Sequence, residues 1–423
     1  MAVPSDEAPA RARAAARVEV ASADWIATRG GYYADDLLAI QAGSRPDGHF
    51  YLGPASAPGH RAVRSASIAL SVCLREAGGL EAWGDVVTPQ YSGFSGRDVP
   101  IDPAAHGPQV DAAVEVLRAA GKITLQEGCA LLENCDFGGR RLHTGVRYGL
   151  SQALIGLIAQ REGSIPARLL ADEFGTEGLK SVPIYAQVGE DRYRGVDKTI
   201  MKRVDVLPHG LINSRELFGD EGQSFLEYAG WVRERVLRFG DTTYRPVIHL
   251  DVYGLPGLTM GASVERMVAL CARLAAVCAP LSVQLESPVY GRSADETQDR
   301  LAELRHRLRD RGIPVKLVAD DWCNTLDDIR SFVTTGSVDM VQIKMPDLGC
   351  LTNALEAAAI CRDNEVAIFV GGSCTETDVS ARYSAQVALA VSADQVLAKP
   401  GMGVDEGTLI VGNEMDRVLK RTR

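Results

Sequence analysis

At 423 residues the chain is too long for one ordinary small domain and fits one large α/β domain or two domains. Lys plus Arg number 45 against 55 Asp plus Glu, a net charge of −10 without a basic block, which argues against nucleic acid and anionic membranes as partners. With 46% hydrophobic residues, 24% charged residues and 42 glycines, the composition is that of a globular protein, neither disordered nor fibrous.

No run approaches the ~18 apolar residues of a membrane span, and the N-terminus lacks the apolar core of a secretory signal, so a cytoplasmic protein is expected. The Ala- and Arg-rich start hints at a transit peptide, but Asp6, Glu7 and Glu19 count against one, and residues 1–22 are read as a flexible extension. The 9 cysteines, from Cys73 to Cys374, include no C-x-x-C pair and suit free thiols in a reducing compartment.

Residues 23–170 are expected to form an α+β domain. Short apolar runs alternate there with Gly/Pro clusters such as Gly53–Gly59 and Ser95–Pro100, which suit short strands and turns, and His143–Arg161 reads as a helix leading out. From 171 to 423 the rhythm changes. Eight apolar runs follow: Val182–Gln187, Val204–His209, Val247–Val252, Leu281–Glu286, Val315–Asp320, Met340–Met345, Val366–Gly371 and Gln395–Pro400. They resemble buried parallel strands, and helical stripes such as Leu301, Leu304 and Leu308 lie between them. Thr325 and Asp328 have the spacing of a capping box. A mean repeat of about 30 residues, one βα unit, makes the fold class α/β with a (β/α)8 barrel. A doubly wound open sheet would carry a glycine fingerprint after its first strand, and none is there.

In such a barrel the C-terminal strand ends face the site. Those positions are Gln187, His209, Asp251, Glu286, Asp320, Lys344, Ser373 with Cys374, and Leu397. Three successive acids at one rim would repel one another unless a cation neutralised them, and oxygen ligands suit Mg²⁺ better than Zn²⁺. Asp251, Glu286 and Asp320 are therefore the expected metal ligands. Asp321, Asp347 and Glu376, beside them, are read as helix caps. Lys344, within an apolar run, is read as a base rather than an ion-pair partner, and His209 shares its rim from across the barrel. Lys399 reads as a structural loop lysine. Gly371–Cys374 leads into an expected helix start at Thr375 whose free N–H groups favour an anion. Cys374 has no histidine placed to activate it.

A divalent metal facing a lysine base suits removal of a proton next to a carboxylate, leaving open whether water, ammonia, a ring bond or nothing departs. At this point the residues resemble a known family. Three acids on successive strands followed by a lysine resemble the enolase superfamily. The blocks Gln90-Tyr91-Ser92-Gly93, Val206-Leu207-Pro208-His209, His249-Leu250-Asp251-Val252-Tyr253-Gly254, Gln342-Ile343-Lys344-Met345-Pro346-Asp347 and Lys399-Pro400-Gly401-Met402-Gly403 resemble the methylaspartate ammonia-lyases. The resemblance implies loss of ammonia from (2S,3S)-3-methylaspartate to give mesaconate, with Mg²⁺ on Asp251, Glu286 and Asp320. It further implies Lys344 as the C3 base and His209 as its counterpart on the other face. Gln90, Gln187, Gln342, Ser373 and Cys374 would hold the polar groups of this small amino-acid substrate, and Leu397 its methyl group. It also implies a first domain that caps the barrel, a homodimer and a response to K⁺.

Some positions depart from the family pattern. Ser373 stands where Thr is typical, Ser287 where Gly is usual, Tyr185 replaces a Phe and Phe369 a Tyr. These changes suggest a shifted preference among 3-substituted aspartates. Two rival classes are another enolase-superfamily dehydratase, racemase or cycloisomerase, and a non-catalytic binding protein. Against the first, strand two offers no Lys-x-Lys and strand seven no His; against the second, the acids and Lys344 are all present.

Overall fold

The computed structural model describes residues 16–261 and 263–422. The N-terminal part is built on strands β1 (Val18–Asp35), β4 (Arg64–Glu76), β5 (Glu81–Val86) and β6 (Lys122–Ile123), in the sheet order β5-β4-β1-β6, with a ribbon of β2 (Arg45–Asp47) and β3 (Phe50–Leu52) beside it. These strands are longer than expected: β1 spans 18 residues and β4 13. The expected extension over residues 1–22 is therefore too long, because Val18 already pairs with Ile123 and Val20 with Glu76, and both valines are buried. Residues 1–15 lie outside the described residues.

The helix Thr144–Arg161 packs against β5 and β4 and is buried without interruption from Gly145 to Ala159, so its apolar and small residues run all round it. It starts at His143, whose Nδ1 accepts from Gly145 N–H at 3.0 Å while Nε2 faces Val99 O at 2.9 Å. The expected boundary at 170/171 falls inside the helix Pro166–Phe174, whose Ala167 N–H donates to Gln386 Oε1 of a barrel helix at 3.0 Å. This connection is a packed element, not a linker.

The second part closes into a barrel of eight parallel strands: β7 (Ile184–Gly189), β8 (Val206–Gly210), β9 (Val247–Asp251), β10 (Val283–Glu286), β11 (Val315–Ala319), β12 (Met340–Ile343), β13 (Ala367–Val370) and β14 (Gln395–Leu397). β14 pairs back onto β7. Each strand lies within or within two residues of its expected run. The capping box at Thr325 and Asp328 is present. Tyr185, Val206, Val318, Met340, Phe369 and Leu397 fill the barrel interior as one cluster. Because side chains alternate along a strand, the residues two and four past this layer lead up to the mouth: Met340, Gln342, Lys344 on one side and Val247, His249, Asp251 on another. No helix among the described residues is long and apolar enough to cross a membrane.

The first part covers the C-terminal mouth of the barrel. In β1 the ladder with β4 breaks between Arg29 and Tyr33, and Gly31 N–H turns inward to Glu376 O at 2.9 Å. A Cβ at Gly31 would lie 2.6 Å from that same carbonyl, so only glycine permits the approach. Arg64 of β4, its side chain 4% exposed, pairs with Asp35 at 2.7 Å and with Glu190 beyond β7, also at 2.7 Å. The Asp35 contact lies within the cap, and the Glu190 contact ties the cap to the barrel by charge as well as by packing.

Candidate active site

Under the cap lies a small cavity of about 30 Å³, reached by Gln187, His209, Asp251, Asp320, Lys344 and Leu397 from the strand ends. Gln90 and Tyr91 come from the cap, and Tyr91 stacks edge-on against Tyr253 with ring centres 5.8 Å apart.

The acid cluster comes together as two carboxylates plus one. His209, Asp251 and Glu286 bring ligand atoms to within 4.8 Å of one another, all from buried residues, which makes this a candidate site for a divalent metal. Burial, then the charge of Asp320, holds the Asp251 carboxyl well above the usual carboxylate range. Burial, then Asp251 and Asp320, does the same to Glu286. A cation is what such a cluster needs in order to ionise fully. Glu286 Oε1 accepts from Gln342 Nε2, while Oε2 has no hydrogen-bond partner. His249 Nε2 does lie 2.8 Å from Glu286 Oε2, but the two are not aligned for a hydrogen bond. The Asp320 carboxylate, by contrast, is held by Lys344 and by Arg97 Nη2 at 3.4 Å. The expectation that Lys344 stands apart from the acids is corrected: it pairs with Asp320, to whose carbonyl it also donates at 2.8 Å.

His209 projects from β8 and Lys344 follows β12, four strands apart in the barrel order and so on opposite sides of the cavity. Burial pushes His209 down to about 4, so the ring is neutral near pH 7. Its Nδ1 and Gln187 Oε1 are buried without a hydrogen-bond partner. Both atoms are available to a bound group.

Strand seven runs into Ser373 and Cys374, and here the expectation of an anion-favouring helix start is corrected. The helix begins at Asp378 with Thr377 as its cap, and the N–H groups of the turn are taken: Ser373 by Glu376 Oε1 at 3.1 Å, Cys374 by Gln90 Oε1 at 3.0 Å. Glu376 is likewise not a cap. It is fully buried, receives Tyr148 Oη at 3.1 Å and pairs with buried Lys399 at 3.0 Å. That pair supports the turn that presents Ser373 and Cys374. Burial pushes the Cys374 thiol up, which suits a contact residue more than a nucleophile.

Asp321 and Asp347 are not helix caps either. Both bond Arg97, at 2.6 and 2.8 Å, and Asp321 also accepts from Tyr290 Oη. Sequence reasoning missed Arg97, Tyr253 and Tyr290. The one local signal for Arg97 is its place just after the Ser95-Gly96 turn.

Known proteins bear on this geometry. Residues 18–175 match the family model "Methylaspartate ammonia-lyase N-terminus" and residues 178–423 its C-terminal counterpart. "Methylaspartate ammonia-lyase 1" of Carboxydothermus hydrogenoformans is 42% identical over 399 residues, 92% of this chain and 93% of that one. The structure of Citrobacter amalonaticus methylaspartate ammonia lyase containing (2S,3S)-3-methylaspartic acid superposes with TM-score 0.89 at 37% identity, covering 95% of this chain and 99% of that one. The Mg complex of Clostridium tetanomorphum β-methylaspartase gives TM-score 0.88 at 36% identity, covering 95% and 98%. A muconate lactonizing enzyme from Pseudomonas fluorescens, 15% identical with TM-score 0.59 over 89% of this chain and 87% of that one, shares the fold alone. With both halves matched end to end and an acid-lined barrel mouth beneath a cap, the chain belongs to the methylaspartate ammonia-lyase family of carbon–nitrogen lyases.

Proposed function

We propose that the protein eliminates ammonia from (2S,3S)-3-methylaspartate to give mesaconate, with Lys344 as the base that takes the C3 proton. The observation that carries this reading is the pairing of Lys344 and His209 on opposite walls of one small cavity whose floor is acidic. A substrate held between them presents one face of C3 to each. The Citrobacter relative contains this same amino acid, which supports the choice of substrate.

Asp251, Glu286 and Asp320 would hold the metal. The fit rests on the raised carboxyls of Asp251 and Glu286, the unpartnered Glu286 Oε2 and the convergence of Asp251 and Glu286 ligand atoms with His209, while Asp320 is included on the family resemblance. Oxygen donors and the Mg complex of the Clostridium relative favour Mg²⁺. When bound, the ion neutralises charge that gathers on the substrate carboxylate as the C3 proton leaves.

The chain's own residues do the rest. Lys344 Nζ takes the proton from C3; the C3–H electrons pass to the adjacent carboxylate as an enolate. They return to form the C2–C3 double bond as the C2–N bond breaks and ammonia leaves. Neutral His209 serves the opposite face, for the C3 epimer or the reverse addition. Gln187 offers its free Oε1 to the substrate ammonium, Gln90 and Gln342 orient polar groups from either side, Ser373 and Cys374 line the turn, and Leu397 forms the apolar wall beside the methyl group. Extension of the reading to a homodimer and to activation by K⁺ rests on the family resemblance; light scattering and assays in K⁺-free buffer test these two points. Ultraviolet detection of mesaconate tests the reaction itself, and absence of product from folded, Mg²⁺-loaded protein would overturn it.

A further inference from the structure

We infer that Arg97, delivered into the barrel mouth by the cap, is a positioning residue that keeps the Lys344 side chain away from Asp347 and aimed at the substrate. The inference rests on the reading of Lys344 as the base. Arg97 follows two left-handed residues, Ser95 at φ 52° and Gly96 at φ 81°, and its side chain is 1% exposed. Asn324 Nδ2 pins the same turn by donating to Ser95 O at 2.7 Å. From this anchor the guanidinium spans three carboxylates: Nη1 to Asp321 at 2.6 Å, Nε to Asp347 at 2.8 Å and Nη2 to Asp320 at 3.4 Å. Of these, Asp320 and Asp321 follow β11 and Asp347 lies beyond β12.

Lys344 Nζ sits between two of them, bonded to Asp320 and 3.8 Å from Asp347 Oδ2. Asp347 is buried, and its Oδ1 already lacks a partner. A buried carboxylate stripped of its cation draws the nearest one, because an unpaired charge in the interior costs several kcal/mol. Without Arg97 that nearest cation is Lys344. A planar guanidinium satisfies Asp321 and Asp347 together, which the single point charge of a lysine cannot do. The cap therefore both covers the mouth and, through Arg97, keeps Lys344 from a competitor three residues along its own chain.

The test uses Arg97→Met, Arg97→Lys and the double variant Arg97→Met/Asp347→Asn in the full-length protein, assayed with Mg²⁺ and (2S,3S)-3-methylaspartate. Arg97→Met should lower kcat about 100-fold, the usual consequence of a catalytic group displaced by about 1 Å. The double variant, which removes the competitor, should recover at least about 10-fold of that loss; a residue that merely docks the cap would give no recovery. Arg97→Lys keeps the charge without the fork, should lose about 10-fold in kcat, and stands in if the Met variant does not fold. A kcat for Arg97→Met within threefold of wild type, or a double variant no faster than the single, overturns the inference. Should the wild type itself form no mesaconate, the reading of the reaction falls, and a crystal structure of Arg97→Met then decides the positioning. Lys344 Nζ bonded to Asp347 supports it; Lys344 unmoved on Asp320 overturns it.

Discussion

Replacing Ser287 by glycine should make the protein more stable by about 1–2 kcal/mol, although serine is the larger and more polar residue. Ser287 follows Glu286 directly and has φ 49°, in the left-handed region. For a residue with a Cβ this costs about 1–2 kcal/mol. Its hydroxyl is buried, and Oγ has no hydrogen-bond partner, which adds about 1–3 kcal/mol of lost hydration. Glycine removes both costs and forfeits about 0.5–1 kcal/mol of chain entropy, while some packing around Oγ is also lost. The backbone bonds are untouched by the change: Ser287 N–H donates to Val318 O at 3.2 Å and Gly254 N–H to Ser287 O at 2.7 Å. Urea unfolding of wild type, Ser287→Ala and Ser287→Gly separates the contributions, because alanine removes only the hydroxyl. The midpoint should rise in the order Ser, Ala, Gly at constant slope. A glycine variant less stable than wild type would refute the reasoning and imply that the hydroxyl has a partner in solution.

Further predictions concern pH, the floor of the site and its specificity. Burial pushes His143 down to about 4, and its Nδ1 must stay unprotonated to cap the helix Thr144–Arg161. Between pH 6.5 and 4 the unfolded chain then binds a proton that the folded ring refuses, so stability falls as pH falls, by about 3 kcal/mol in all from this residue. His143→Asn, which keeps a capping oxygen, should flatten that part of the pH–stability curve; an unchanged slope would contradict the assignment. Gly371→Ala would place a Cβ 2.5 Å from Gln342 Cδ, pushing Gln342 off Glu286, and should lower kcat/KM by about 10–100-fold; a fully active variant would show that Gln342 is not positioned through this contact. Ser373 bonds Thr375 Oγ1 at 2.6 Å and Gln90 Oε1 at 3.2 Å, so Ser373→Thr should alter relative rates across a panel of 3-substituted aspartates; identical ratios would exclude the departures at this turn as a source of specificity.

The barrel is legible in the chain because each buried parallel strand is an almost unbroken apolar run with one polar residue at its end, and the runs recur at the length of a βα unit. That grammar also brings Asp251, Glu286, Lys344 and His209 to one rim. The cap is harder to read. Strand β1 is largely exposed or half-buried, interrupted by Gly30-Gly31 and rich in alanine, so no clean alternation announces its 18 residues. Asp321, Asp347 and Glu376 look like caps because local spacing is all a single sequence offers. Their partners, Arg97 and Lys399, lie elsewhere in the chain, Arg97 more than 200 residues away. The same limit explains Lys344: its run shows that it is buried, but only the fold reveals Asp320 beside it.

The most direct measurement is ultraviolet monitoring of mesaconate formation from (2S,3S)-3-methylaspartate with Mg²⁺, run beside an EDTA-treated sample and Lys344→Ala. Turnover that stops with EDTA, returns with added Mg²⁺ and falls by at least about 1000-fold in the alanine variant is the predicted result. Turnover that survives loss of Lys344 would contradict its role as the base.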